Sequence, residues 1–199
     1  MSTLLTLALL GCANTMHGTI GGEDVGGADD AIFQLETYDV PYLGTYTGVA
    51  LAVTGAQDAC TGLDALAEVE GQCSEQCEQL EAISRDHLPP DEVWTLWIWL
   101  ATDAEIVGIY EHGTESDWDG FGAAIERDDV SALRDFETCV AACEDGELIP
   151  STDESSTGGE LEITDYTAGE ELQGEFRITF DSGEVEGHFS ASWCEIFEL

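Results

Sequence analysis

Two C-x-x-x-C segments, CSEQC at 73–77 and CVAAC at 139–143, constrain this chain more than any other feature. On a helix that spacing puts both sulfurs on one face, one turn apart. Within a single helix the two Cβ vectors run parallel and make a poor disulfide, so each pair should bond to another element. Two antiparallel helices satisfy both pairs at once, joining Cys73 to Cys143 and Cys77 to Cys139. The chain has seven cysteines, the others being Cys12, Cys60 and Cys194. With Cys12 set aside, six remain, the even number expected for three disulfides in an exported domain, and Cys60 and Cys194 are left for each other. Four thiolates could also hold zinc, but the strong zinc signature, C-x-x-C, does not occur.

Periodicity supplies the two helices. Over 57–84, Leu63, Leu66, Cys73, Cys77 and Leu80 recur at three- and four-residue steps, with Gly71 a weak point and His87-Leu88-Pro89-Pro90 closing the segment. The matching helix is expected at 131–145, with Ser131 or Asp129 as N-cap and a stripe at Leu133, Phe136, Val140 and Cys143. Both cysteine pairs fall on the apolar faces. This arrangement resembles the twin C-x-x-x-C helical hairpin of small oxidised proteins. With 61 residues between Cys77 and Cys139, the resemblance extends to the clamp alone.

Elsewhere the pattern is that of strands, expected at 31–38, 45–54, 93–100, 105–113, 160–164, 174–180 and 184–193. VWTLWIWL (93–100) reads as a strand buried on both faces, with 105–113 as its antiparallel partner. Its tryptophans, Trp94, Trp97 and Trp99, could line a carbohydrate or peptide groove, but core packing is the simpler reading. GELIPSTDESSTGG (146–159) reads as a loop. The last three strands form a meander that resembles the C-terminal β-meander of many uncharacterised bacterial lipoproteins, through Gly174, Phe176, Phe180, Gly187, Phe189, Ala191 and Cys194. That likeness implies no particular activity. The fold class expected is α+β, mainly antiparallel β: one domain over 31–199, a β-sandwich or barrel with an inserted, disulfide-clamped helical pair.

LLTLALL (4–10) is too short to cross a bilayer but adequate for the apolar region of a signal peptide. It runs into Leu9-Leu10-Gly11-Cys12, which resembles the lipobox of bacterial lipoproteins. The resemblance implies removal of residues 1–11, a diacylglycerol on the Cys12 sulfur, and a membrane partner held through that lipid at the cell envelope, the outer membrane being favoured. The Gly-rich acidic stretch that follows makes 12–30 read as a flexible tether.

Forty-three Asp and Glu stand against four Arg and no Lys, a formal net charge of -39. Such a chain repels nucleic acid and attracts cations or a basic protein partner. Phosphate-binding loops, HExxH helices, nucleophile elbows and dinucleotide fingerprints are all missing from the sequence, and His17, His87, His112 and His188 have no metal-ligand spacing. One segment rises above the acidic background. Within 115–126, Glu115, Asp117, Asp119, Gly120 and Glu126 occupy positions 1, 3, 5, 6 and 12 of a Ca²⁺ loop of EF-hand type. The expectation is therefore a non-enzymatic structural or binding lipoprotein without a cofactor. A Ca²⁺-dependent binding module is the alternative, and an enzyme of unrecognised type stands well behind both.

Overall fold

Period-two alternation sets the architecture of the computed structural model, which describes residues 14–40, 44–102, 105–113, 120–146 and 148–195. The strands are β1 (Thr15–Ile20), β2 (Glu23–Asp24), β3 (Asp30–Val40), β4 (Gly44–Thr54), β5 (Glu92–Thr102), β6 (Gly108–Glu111), β7 (Gly120–Asp129), β8 (Ser151–Thr167), β9 (Glu171–Phe180) and β10 (Glu184–Trp193). The helices are α1 (Ala59–Ala67), α2 (Cys73–His87) and α3 (Phe136–Asp145). Of the expected alternatives, the sheet is a barrel. Antiparallel pairing runs β3-β4-β5-β7-β8-β9-β10. The ring of seven strands closes where β10 lies parallel to β3, Ser192 opposite Ile32 and Trp193 opposite Phe33.

Alternate residues fill the interior, leaving a packed core in place of an open lumen. Leu51, Leu96, Ile98, Phe121, Ile125, Ile178 and Phe189 are each at most 2 % exposed. The C-terminal meander shows why its glycines are spaced as they are. Phe176 is paired across the ladder with Gly187, and Phe189 with Gly174. A Cβ at Gly174 would stand 2.7 Å from the Phe189 ring, and one at Gly187 would stand 2.8 Å from the Phe176 ring. Each glycine makes room for the ring opposite, and the two rings stack at 6.5 Å.

A second apolar layer lies on the outside of the barrel, where the helices cover β3, β4 and β5. Ile32, Ala52, Ala59 and Cys194 form one cluster, with Leu63 and Trp97 packed against it. Cys77, Leu80, Val93, Val130, Leu133 and Cys139 form the other. Three disulfides fix this layer: Cys73–Cys143, Cys77–Cys139 and Cys60–Cys194, with Cα–Cα distances of 5.6, 5.8 and 5.7 Å. The first two clamp α2 to α3 as the C-x-x-x-C spacing requires. The third ties α1 to the end of β10, beside the seam where the barrel closes. Arg134 strengthens the same layer, donating to the carbonyls of Ser84 (3.0 Å) and Leu88 (2.6 Å) at the C-terminus of α2.

Several expectations need correcting. Residues 14–30 are not a tether. β1 pairs with β10 from Thr15 opposite His188 to Thr19 opposite Glu184, and Met16 and Val25 are buried. The glycines that suggested flexibility include a two-residue hairpin turn: Gly21 and Gly22, at φ 61° and 85°, join β1 to β2. The helix over 57–84 is two helices broken around Gly71. At 131–145 a 3-10 turn over Ser131–Arg134 precedes α3, whose N-cap is Asp135, accepting from the Thr138 N–H at 2.9 Å. Asp129 instead accepts from the Ser131 N–H at 3.0 Å. The partner of β5 is β7 and not the 105–113 segment, whose strand β6 pairs with β8. β8 also begins at Ser151, inside the stretch that reads as a loop. β5 is covered on both faces from Val93 to Leu96, but Trp99 is 44 % exposed.

Candidate functional site

The six cysteines after Cys12 are all spent in disulfides, so none of their thiolates remains for zinc. Cys12, the seventh, lies outside the described residues.

Glu115, Asp117 and Asp119 also lie outside the described residues. The rest of that segment is a strand and not the second half of a loop. Gly120 opens β7, and at about 3.3 Å per residue Glu126 lies about 20 Å further along the strand. Both Glu126 oxygens have partners: Trp97 Nε1 donates at 3.0 Å and Ser151 Oγ at 2.8 Å. Glu126 thus bridges β5 and β8 across the outer face of β7. Among the described residues, no three His, Cys, Asp or Glu side chains are grouped so as to hold a metal ion.

The sheet assembles a different charged surface, on the outer wall of β8, β9, β10 and β1. Strand register places Glu160, Arg177, Glu186 and His17 in one row across the four strands. Arg177 donates to Glu186 through Nε at 3.0 Å and Nη2 at 2.7 Å, and His17 Nε2 meets the other Glu186 oxygen at 3.1 Å. The guanidinium holds the Glu186 carboxyl below its ordinary range, with a smaller contribution from His17. The neighbouring row is Glu162, Glu175, His188 and Thr15. Thr15 Oγ1 and His188 Nδ1 are 2.8 Å apart, whereas Glu162 and Glu175 stand directly opposite each other, a like-charge pairing that costs stability. Together these side chains line a shallow depression of about 610 Å³. The sequence hides it because the Gly-rich stretch around His17 reads as a tether; the alternation in Thr15-Met16-His17 is the available signal.

Where β5 begins, the Arg127 guanidinium lies 5.6 Å from the Trp94 ring centroid. Its Nε donates to Glu92 at 2.8 Å and its Nη1 to Glu23. The hydrogen bond to Glu92 is the main cause of its raised pKa. Among the described residues, no helix is long and apolar enough to cross a membrane. Compared with protein-family models, curated proteins and solved structures, the chain matches none.

Proposed function

We propose that this chain is an exported lipoprotein, held at the cell envelope by a lipid on Cys12, with a structural or binding role and no catalysis. The observation that carries the reading is the cysteine account. Six of seven cysteines are consumed in disulfides typical of an oxidising compartment, and the one left over is the one that follows Leu9-Leu10-Gly11. A diacylglycerol supplies two acyl chains, which is what stable anchoring needs. With β1 starting at Thr15, three positions beyond Cys12, the barrel stands close to the bilayer with no long stalk. The outer wall carrying Glu160, Glu162, Glu175 and Glu186 then favours cationic or basic partners and disfavours anionic lipid.

Expression of the whole chain in a bacterium, followed by membrane fractionation, tests this. The wild-type protein is expected in the membrane fraction, released by detergent and not by high salt. Cys12→Ala is expected to lose the anchor. A soluble wild-type protein, or equal membrane retention of Cys12→Ala, would overturn the proposal.

A further inference from the structure

Between the helical layer and the outer wall of the barrel lies a cavity of about 140 Å³. Leu63 and Leu66 of α1, Ile83 of α2, and Ala52, Val93 and Trp97 of the barrel wall line it. Its polar groups are few. Thr54 and Thr95 satisfy each other through a 2.9 Å hydroxyl contact, and His87 Nδ1 donates to the Gln57 carbonyl at 3.1 Å. Away from Asp128 and His87 the walls offer water few partners, and apolar cavities of about 150 Å³ take up a benzene ring.

Asp128, half-buried on the outward face of β7, borders this cavity. Burial pushes its carboxyl up, the neighbouring Glu126 charge adds to that, and the nearby Ser151 hydroxyl opposes it. His87 lines the same cavity, its Nδ1 turned to the Gln57 carbonyl, and no arginine is free to answer the charge. Arg85 is held by Glu81, Arg127 by Glu23 and Glu92, Arg177 by Glu186, and Arg134 by the carbonyls of Ser84 and Leu88; the chain has no Lys. An apolar chamber the size of one ring, with a carboxylate at its edge that no Arg or Lys answers, suits a ligand with an apolar body and one positive end.

We propose that the cavity binds a small primary aryl- or alkylammonium ion, its body against Leu63, Leu66 and Trp97 and its ammonium group on the Asp128 carboxylate. The ammonium supplies a charge partner that no Arg or Lys provides there, and the body fills space lined mostly by apolar side chains. Benzylammonium is the fitting probe, with benzyl alcohol as its neutral analogue and benzoate as its anionic one.

Calorimetric titration of the full chain in 0.5 M NaCl, which screens the general pull of the acidic surface, tests the proposal. A charge-assisted hydrogen bond makes benzylammonium bind about tenfold tighter than benzyl alcohol, with benzoate not binding. Asp128→Asn removes that preference while benzyl alcohol binds as before. Ala56→Leu, at the cavity wall, weakens both ligands; each variant is first checked for three intact disulfides by mass. Equal affinity for the alcohol and the ammonium overturns the proposal. So does a preference that survives in Asp128→Asn, or no uptake of any probe at millimolar concentration.

Discussion

Removing the disulfides one pair at a time should reveal that two of them are nested. Cys73–Cys143 closes a sequence separation of 70 and Cys77–Cys139 one of 62. Taken alone, the chain-entropy relation assigns these about 4.4 and about 4.3 kcal/mol at 25 °C. They are not alone, because each lies four residues from the other at both ends. Once one is closed, the other closes a loop of only about eight residues, worth about 2.5 kcal/mol. Replacing either pair by alanines is therefore expected to cost about 2.5 kcal/mol, and replacing both about 7 kcal/mol, so that the double change exceeds the sum of the singles by about 2 kcal/mol. Cys60–Cys194 behaves differently. With the inner clamp intact it closes a path of about 64 residues, from Cys60 to Cys73 and from Cys143 to Cys194, and its loss costs about 4.3 kcal/mol. Urea unfolding of the four variants, read by linear extrapolation, measures all these quantities. Single costs near 4.4 kcal/mol for each inner pair, or strict additivity, would refute the nesting and with it the pairing of α2 to α3.

Other outcomes follow from charge and packing. Thermal stability should rise between low and molar NaCl as self-repulsion in a chain of net charge -39 is screened, and a flat melting temperature would contradict that. The pH dependence has two opposed parts. Asp129 and Asp135, lowered by hydrogen bonds from Ser131 and Thr138, and Glu171, lowered chiefly by Ser190, stabilise the fold above their ordinary pKa values and lose that contribution as pH falls through their depressed ones. Asp128 is raised, so the penalty of its ionised form disappears as pH falls through its folded value; melting scans should show that gain at higher pH than the loss from Asp129, Asp135 and Glu171. Gly187→Ala should cost about 1–3 kcal/mol in urea unfolding, because the added methyl meets the Phe176 ring and the Thr15 carbonyl. Since Trp97 and Ser151 hold Glu126, Glu126→Gln should alter tryptophan fluorescence while leaving any calcium-induced shift in Tm unchanged.

Elements with strong periodic signals were legible from residues alone. The cysteine steps in α2 and α3 announced which faces meet, and the alternation of Phe176, Ile178 and Phe180 announced β9. What escaped reading were strands whose inward residues are small or whose outward ones are polar throughout. β7 presents Phe121, Ala123 and Ile125 to the core, but Asp117, Asp119 and Gly120 invited comparison with a cation loop. The first half of β8, Ser151–Gly159, carries no large apolar side chain; its place is set by ladders to β7 and β9 and not by burial. β1 offers Met16 as its deeply buried residue, and it becomes a strand because β10 has an edge open beside β3. Cavities escape sequence reading altogether, since Asp128 and Leu63 come together only through the packing of α1 on the barrel. The charged wall of His17, Arg177 and Glu186 likewise depends on a register joining the two ends of the chain.

The most direct test of the proposed lipid anchor on this disulfide-clamped barrel is the intact mass of the protein recovered from bacterial membranes, with a map of its N-terminal peptide. The mass expected is that of a chain beginning at Cys12, carrying a diacylglycerol on its sulfur and lacking six hydrogens for three disulfides. A chain that retains Leu10 and Gly11 and has a free thiol at Cys12 would contradict the assignment.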